Sequence, residues 1–515
     1  MMKYKSYITD LHVNLHPDQI DLLDKWYQHT KKVADFFTLA YYPYHMVPVK
    51  NGFKAEEELD NATRNQQWQV IEDYLKAHNS DDDFISFLGY EWQGTGEDGD
   101  HNIYFKDDSG RLLLAPRYQD LVHAFSGLEV MGIPHHLAYS SGNRGKNWNT
   151  HNERFSPLVE IYSHHGSSES DETNLSMNRH VHMGPRVDGN TVVDGLKNGY
   201  HFGIIASGDN HEVPALVKHG RAGIWASAYT KEALWEAMQQ RRTFGFTDSK
   251  IITWMELAGQ PMGSIVQTDV ASQIIRTEVT ANNRLERLEL YRDGEISQIK
   301  LWQPSENVGP TVRFKFQIEC GWGPDPNSFP EASSKAWNGR LETTGRVFSV
   351  EPVYNGFDND YAIEDDQHVS FTATTHQPAQ QDGWMRDNSL KNEGFIFEIE
   401  ASRDSQLSLS INGLTKYYSV EEILAASHLL VYEAEAKQLL AEKTGITEYY
   451  RSDSWYHNAY KVKLYRGATQ SAYQAAAKFT VLPTTSEHSY YVKVVQTNGQ
   501  TGWSSPIWLS APTKK

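Results

Sequence analysis

Apolar and polar positions alternate over Ile8 to Leu15, as a β-strand requires, and then the period changes. From about Pro17 to Val33 the apolar residues Ile20, Leu23, Trp26 and Tyr27 recur at helical spacing, with Pro17 suited to a first turn. The two patterns keep alternating. Strands are expected at Phe36–Tyr42, Phe84–Trp92, Asn102–Phe105, Ile133, Leu158–Tyr162, Phe202–Ala206 and Gly223–Ala226, and helices at about Ala55–His78, Tyr118–Met131 and Lys231–Arg241. Repeated βα units predict an α/β fold with a mostly parallel sheet, and about seven of them suggest a closed barrel over residues 1–248.

After Phe246 the texture is different. Ile251–Leu257, Ile274–Val279, Leu288–Tyr291 and Val312–Ile318 alternate like sandwich strands, and helical patterns become scarce. Residues 323–425 are rich in Gly, Asn, Asp, Ser and Pro and predict a long loop-rich insertion with short strands such as Phe395–Ile399. A helix near Val431–Lys443 follows, and His488–Leu509 suggests a closing strand pair. The expected organisation is a βα-barrel over 1–248 and a β-rich, sandwich-like domain over 249–515.

Composition narrows the function. The 515 residues are 39% apolar, which is globular. A formal charge of −18 argues against nucleic acid as a partner, because phosphate backbones are bound by clustered Lys and Arg. The single cysteine, Cys320, excludes an internal disulfide and a thiolate zinc site. No apolar run is long enough to span a membrane. The opening Met1-Met2-Lys3-Tyr4-Lys5-Ser6 leads into the first strand without an apolar leader, so a cytoplasmic location is expected, or a periplasmic one if a leader was removed.

The 22 histidines lie mostly in the first half, and many fall at strand ends beside carboxylates. Asp10, His12 and Asn14 share one strand face. Glu91 closes an apolar strand, and His101 follows in Gly99-Asp100-His101. His135 and His136 follow Pro134, Glu160 sits inside Val159-Glu160-Ile161, and Asp209 and His211 end Ser207–His211. Each motif alone has an ordinary explanation, such as a turn or a helix cap. Together, at ends that converge on one rim of a barrel, they read as ligands of divalent metal.

This series resembles the polymerase-and-histidinol-phosphatase (PHP) superfamily, and more closely a PHP-like family with a β-rich C-terminal extension, which Gly502–Trp508 also fits. The resemblance implies a distorted seven-stranded barrel that binds Mn, Zn or Fe and hydrolyses phosphoesters. It assigns His12, Glu91, His101, His135 or His136, Glu160, Asp209 and His211 as ligands, with Asp10 in a supporting role. Two departures stand out. The usual His-x-His is His12-x-Asn14, and the usual Thr-Asp-His after the second strand is replaced by Tyr41-Tyr42-Pro43-Tyr44-His45. One or two ions are therefore expected in place of three, with Tyr42 or His45 free for proton transfer.

Further candidates lie in the following loops. Arg144, Lys146, Asn147 and Trp148 suit an anionic or sugar-bearing ligand, as do His164, His165 and Arg221. The aromatic residues of the second half read mainly as sandwich core. The favoured function is hydrolysis of a phosphate or sulfate ester of a small molecule or sugar. In that chemistry a metal-bound hydroxide attacks, Arg144 stabilises charge and His164 or Tyr42 protonates the leaving group. The alternatives are a metal-dependent lyase acting by β-elimination on a uronate polysaccharide, and a degenerate glycan-binding module.

Overall fold

The computed structural model describes residues 3–48, 54–177, 183, 185–209, 211, 219–305, 309–324, 329, 334–354, 359–376, 392–448 and 453–512. The chain is mixed α/β and rich in strand. It divides into two compact units. The first comprises Met1–Ala281, Leu285–Trp302 and Gln474–Lys515, and the second Asn282–Arg284 and Gln303–Tyr473. This differs from a boundary near residue 248, because strands far along the chain complete the first unit.

In the first unit the strands are β1 (Lys5–Thr9), β2 (Asn14–Leu15), β3 (Phe37–Tyr41), β4 (Tyr44–Pro48), β5 (Lys54–Glu58), β6 (Ser86–Trp92), β7 (His101–Phe105) and β8 (Val130–Pro134). They continue as β9 (Leu158–Ser163), β10 (Gly166–Ser167), β11 (Gly203–Ala206), β12 (Arg221–Ala226) and β13 (Thr243–Phe246). One sheet runs β2-β3-β6-β7-β8, another β10-β9-β11, and a third joins β1-β12-β13 to Thr501–Ser504 and onward. Pairing is parallel for β2/β3, β3/β6 and β9/β11 but antiparallel for β1/β12, β12/β13, β6/β7 and β7/β8. The expected mostly parallel sheet is thus only partly present. Gln93–Asp100, linking β6 to β7, is too short for a helical crossover, and a short link returns the chain antiparallel. Ile8–Leu15 is likewise not one strand, since Asp10–Val13 separates β1 from β2.

Every residue of β6 is buried, and its period-two alternation serves two apolar layers. Leu88, Tyr90 and Trp92 join Leu39, Trp26, Ile71 and Leu75, under helices α1 (Leu23–Val33) and α2 (Asn61–His78). Phe87 faces the other way, into a cluster with Leu11, Tyr104, Ile133, Leu158, Ile205 and Ile224. Helix α2 begins at Asn61 because Asp60 caps it, accepting the N–H groups of Ala62 and Thr63. The preceding Lys54–Glu58, expected as helix, pairs with Tyr44–Pro48 as a hairpin. At Gly89 a Cβ would lie 2.4 Å from Tyr104 Cδ1. Glycine lets that ring cross β6, and its hydroxyl donates to Leu11 O at 2.7 Å, fixing the residue before His12.

The second unit contains two sheets whose facing sides share one apolar cluster, including Phe314, Trp337, Phe371, Phe397 and Leu409. Within the stretch expected to be loop, the strands Ser334–Thr343, Arg346–Tyr354, His368–His376, Glu393–Ser402 and Gln406–Ile411 are formed. Among the described residues no helix is long and apolar enough to cross a membrane.

Candidate metal centre

Five strands deliver the donors. Glu91 follows Phe87 and Gly89 on the inner face of β6, and His12 follows buried Leu11 after β1. His135 and His136 continue from β8, Glu160 lies within β9, and Asp209 follows β11. His136 and Asp209 hold φ of 35° and 52°, a left-handed conformation that costs energy for non-glycine residues and is maintained here at the site. Asp10 Oδ1 accepts the N–H of His12 and of Gly208, each at 2.9 Å, tying the segments after β1 and β11 together.

His12 is the hub and is fully buried. Its Nδ1 lies 3.0 Å from Glu160 Oε2, and its Nε2 lies 3.3 Å from Glu91 Oε2 and 3.2 Å from Asp209 Oδ1. Burial opposes a charge on His12, but Asp209, Glu160 and Glu91 outweigh it and hold its pKa well above the ordinary value. Glu160 also accepts from Ser207 Oγ and, at 3.3 Å, from the His136 N–H. His165 presents Nε2 at 2.9 Å from Asp209 Oδ2, and its Nδ1 lies 2.8 Å from the Tyr139 hydroxyl.

Three overlapping sets of donors have their ligand atoms within 4.8 Å of one another. They are His12, Glu91 and His135; Asp100, His135 and His136; and His136, His165 and Asp209. All are buried. His135 has neither ring nitrogen hydrogen-bonded among the described residues, and the Glu91 Oε1 nearby is 3.8 Å away. Buried imidazole nitrogens are rarely left without a partner. His136 Nδ1 and Asp100 Oδ1 are unpartnered as well. A divalent cation would supply those missing partners, and imidazole plus carboxylate is the donor chemistry of Zn, Mn and Fe. The residues fit a metal.

The rim carries charge. Arg144, at φ 69°, donates Nε to Asp100 and places its other nitrogens 3.3 Å from Glu56 Oε2 and 3.5 Å from Glu91 Oε1. Burial pushes the Asp100 carboxyl well up despite Arg144. Tyr42 donates to Glu56 Oε1 at 2.6 Å and accepts from Gln93 at 2.8 Å. Burial and then Glu56 hold its phenol well above the ordinary range. Asn14 Nδ2 sits 3.2 Å from Asp209 Oδ1 and 3.3 Å from His211 Nε2. His211 Nδ1 in turn meets His16 Nε2 at 2.9 Å.

Other expected site residues lie elsewhere. His101 is on the helix-facing side of β7 with Ile103 and Phe105, stacked on Tyr118 at 4.6 Å and bonded through Nδ1 to Gly99 O. Asn102 and Tyr104 take the inner face in its place, so His101 does not enter the donor cluster. Lys146 is buried beside His101 (3.4 Å) and over the Tyr118 ring. Trp148 packs in an apolar cluster and donates to Thr191 O, and Asn147 caps the short turn at Trp148–Thr150. These three serve the loop's structure, because the loop folds inward. His45 is half exposed on the β4/β5 hairpin, 3.9 Å from Glu57. Arg221 covers the Phe246 ring, and His164 packs against His165 and His219. Asp100, Glu56 and His16 escaped the sequence reading. Asp100 was visible one residue before His101.

No family model matches the chain. It is 26% identical over 259 residues to an uncharacterized protein of Chlamydia pneumoniae, a match covering 44% of this chain and 40% of that protein. It is 27% identical over 185 residues to an uncharacterized protein of Chlamydia trachomatis, covering 33% of this chain and 29% of that one. The chain thus spans less than half the length of these relatives. Among solved structures it matches a two-domain protein from Bacteroides vulgatus described as containing a predicted PHP-like metal-dependent phosphoesterase. The match has a TM-score of 0.31 and 11% identity, and covers 56% of this chain and 79% of that one. A superposition this loose does not assign the fold.

Proposed function

We propose that this chain is a metal-dependent hydrolase of a phosphate or sulfate ester, holding one or two divalent ions between His12, Glu91, Asp100, His135, His136, His165 and Asp209. The observation that carries the reading is His135, a buried imidazole with both nitrogens unpartnered among the described residues at the junction of two donor sets. The PHP resemblance of the motifs supports the reaction class. A divalent ion there would supply Lewis acidity and activate water for attack.

The protein's own groups would do the rest. Glu160 fixes the orientation of the His12 ring through Nδ1, which leaves Nε2 facing Glu91 and Asp209. Tyr139 orients His165 toward Asp209. Arg144, held by three carboxylates, would turn its guanidinium to the non-bridging oxygens of a bound ester and stabilise their growing charge. A raised Tyr42 phenol is suited to donating a hydrogen bond and poorly suited to removing a proton, which disfavours β-elimination by a Tyr42 phenolate.

The test is metal content followed by substrate. Protein equilibrated with Mn or Zn and then desalted should retain metal and release phosphate or sulfate from an aryl ester. Absence of bound metal would sink the proposal, and an unsaturated uronide formed from a uronate polymer would replace hydrolysis by elimination.

A further inference from the structure

A cavity of about 750 Å³ lies at the opposite ends of the strands that feed the metal centre. It is walled by the turn entering β8, the loop entering β9 and the end of the helix Lys231–Gln239. His135 and Glu160, by contrast, sit beyond or within those same strands. At 3.3 Å per residue, the five steps from Val130 to His135 separate the two places by roughly 16 Å.

The cavity has an apolar side and a cationic side. Phe125 and Phe155 stack with their planes 5° apart, and Leu128 stands 61% exposed at the turn. The two rings are largely buried, so the exposed leucine is the main apolar surface that a ligand could cover here. Arg154 and Arg241 supply the charge. Arg241 is held at φ 60°, a strained conformation for arginine. Its Nε donates to Gly263 O at 3.0 Å, and its guanidinium covers the Trp508 ring at 5.7 Å. Neither arginine has a carboxylate within ion-pair distance among the described residues. Of the two acids that also line the cavity, Glu153 meets His201 at 3.3 Å and acts electrostatically on Arg241, and Glu129 meets Lys106 at 4.0 Å. An exposed arginine without an ion-pair partner among the described residues, Arg154, close to an exposed leucine favours a ligand carrying both an acidic group and an apolar body.

We propose that this cavity is a second binding site, separate from the metal centre, for a small amphipathic organic anion. Its acidic group would meet Arg154 and Arg241, and its aromatic or aliphatic body would lie on Leu128 and the edges of Phe125 and Phe155.

Naphthalene-2-sulfonate is the probe, titrated calorimetrically into the whole chain. Saturable binding below about 1 mM is expected. Arg154→Gln should weaken it about tenfold, as losing one charge-assisted contact does. Leu128→Glu should weaken it at least as much by placing a carboxylate at the mouth. Both positions are exposed, so both variants should keep their fold, to be confirmed by circular dichroism. Arg241→Gln provides a third reading. His135→Ala should leave binding intact. No saturable binding at about 10 mM, unchanged affinity in both exposed variants, or loss of binding in His135→Ala would each overturn the proposal. Only the last would relocate the ligand to the metal centre.

Discussion

Asp10 Oδ1 accepts the main-chain N–H of Gly208 across 198 positions of sequence, while also accepting that of His12. One carboxylate oxygen therefore sets the spacing between two of the strand ends that hold the donors. Asp10→Ala would leave both N–H groups buried without an acceptor, at an expected cost of about 2–4 kcal/mol. Asp10→Asn keeps the acceptor oxygen and should retain most of that stability. Urea denaturation of the two variants checks the difference, and equal losses would refute the role.

Bound metal should stabilise the protein. A free ion at roughly 100 times its dissociation constant adds about 2.7 kcal/mol to the folded state. Chelation is expected to lower Tm, and Mn or Zn to restore it. His135→Ala should bind less metal by elemental analysis and show a smaller chelator effect.

Lys493 Nζ lies 2.5 Å from Glu169 Oε2, and Trp503 Nε1 donates to Glu169 Oε1 at 3.1 Å, all of them buried. Lys493→Met strands a carboxylate in the interior and should cost about 3–5 kcal/mol. Pairing it with Glu169→Gln should recover part of the loss. A denaturation double-mutant cycle with no coupling would refute this.

Stability should rise with pH in two windows. Burial and then Lys146 push His151 down to about 2, so between about 2 and 6.5 the unfolded chain binds a proton that the folded one does not. Burial also lowers Lys146 to about 7, which gives the same sign between about 7 and 10.5. Below each window both states are protonated and the destabilisation is complete; above it, the penalty is gone. Lys146→Met should flatten the alkaline rise, and His151→Phe part of the acid one, in denaturation midpoints against pH.

Cys320 is buried in Thr311–Gly321, and burial, followed by Glu319 and Glu393, holds its thiol well above the ordinary range. It should resist a disulfide reagent in the native protein and react on unfolding, so its labelling rate reports opening of the second unit.

The donors at strand ends were legible in the sequence because each polar cluster interrupts an apolar run. Which face they take was not. Reading the strand as Asn102–Phe105 left His101 as a loop ligand, yet the strand begins at His101 and its parity turns that side chain toward Tyr118. His164 and His165 pose the same problem, and it is His165 that reaches Asp209. Lys54–Glu58 has helix-forming residues, but pairing with Tyr44–Pro48 overrides propensity. Along Ser334–Thr343 only Trp337, Leu341 and Thr343 are buried and the other side chains are exposed or half-buried, so a real strand carried a loop-like composition. Trp148 looked like a ligand platform from its polar neighbours, whereas its Nε1–H is satisfied inside the core.

The first unit is discontinuous in the chain, taking its last strands from Gln474–Lys515. During synthesis the strands carrying the candidate donors would therefore leave the ribosome long before Trp503 and Lys493 exist to close against Glu169. The second unit, continuous apart from Asn282–Arg284, can form while the first still waits. The usual order of folding from the N-terminus would be reversed, and the donors would remain accessible to a passing cation until Lys493 and Trp503 arrived.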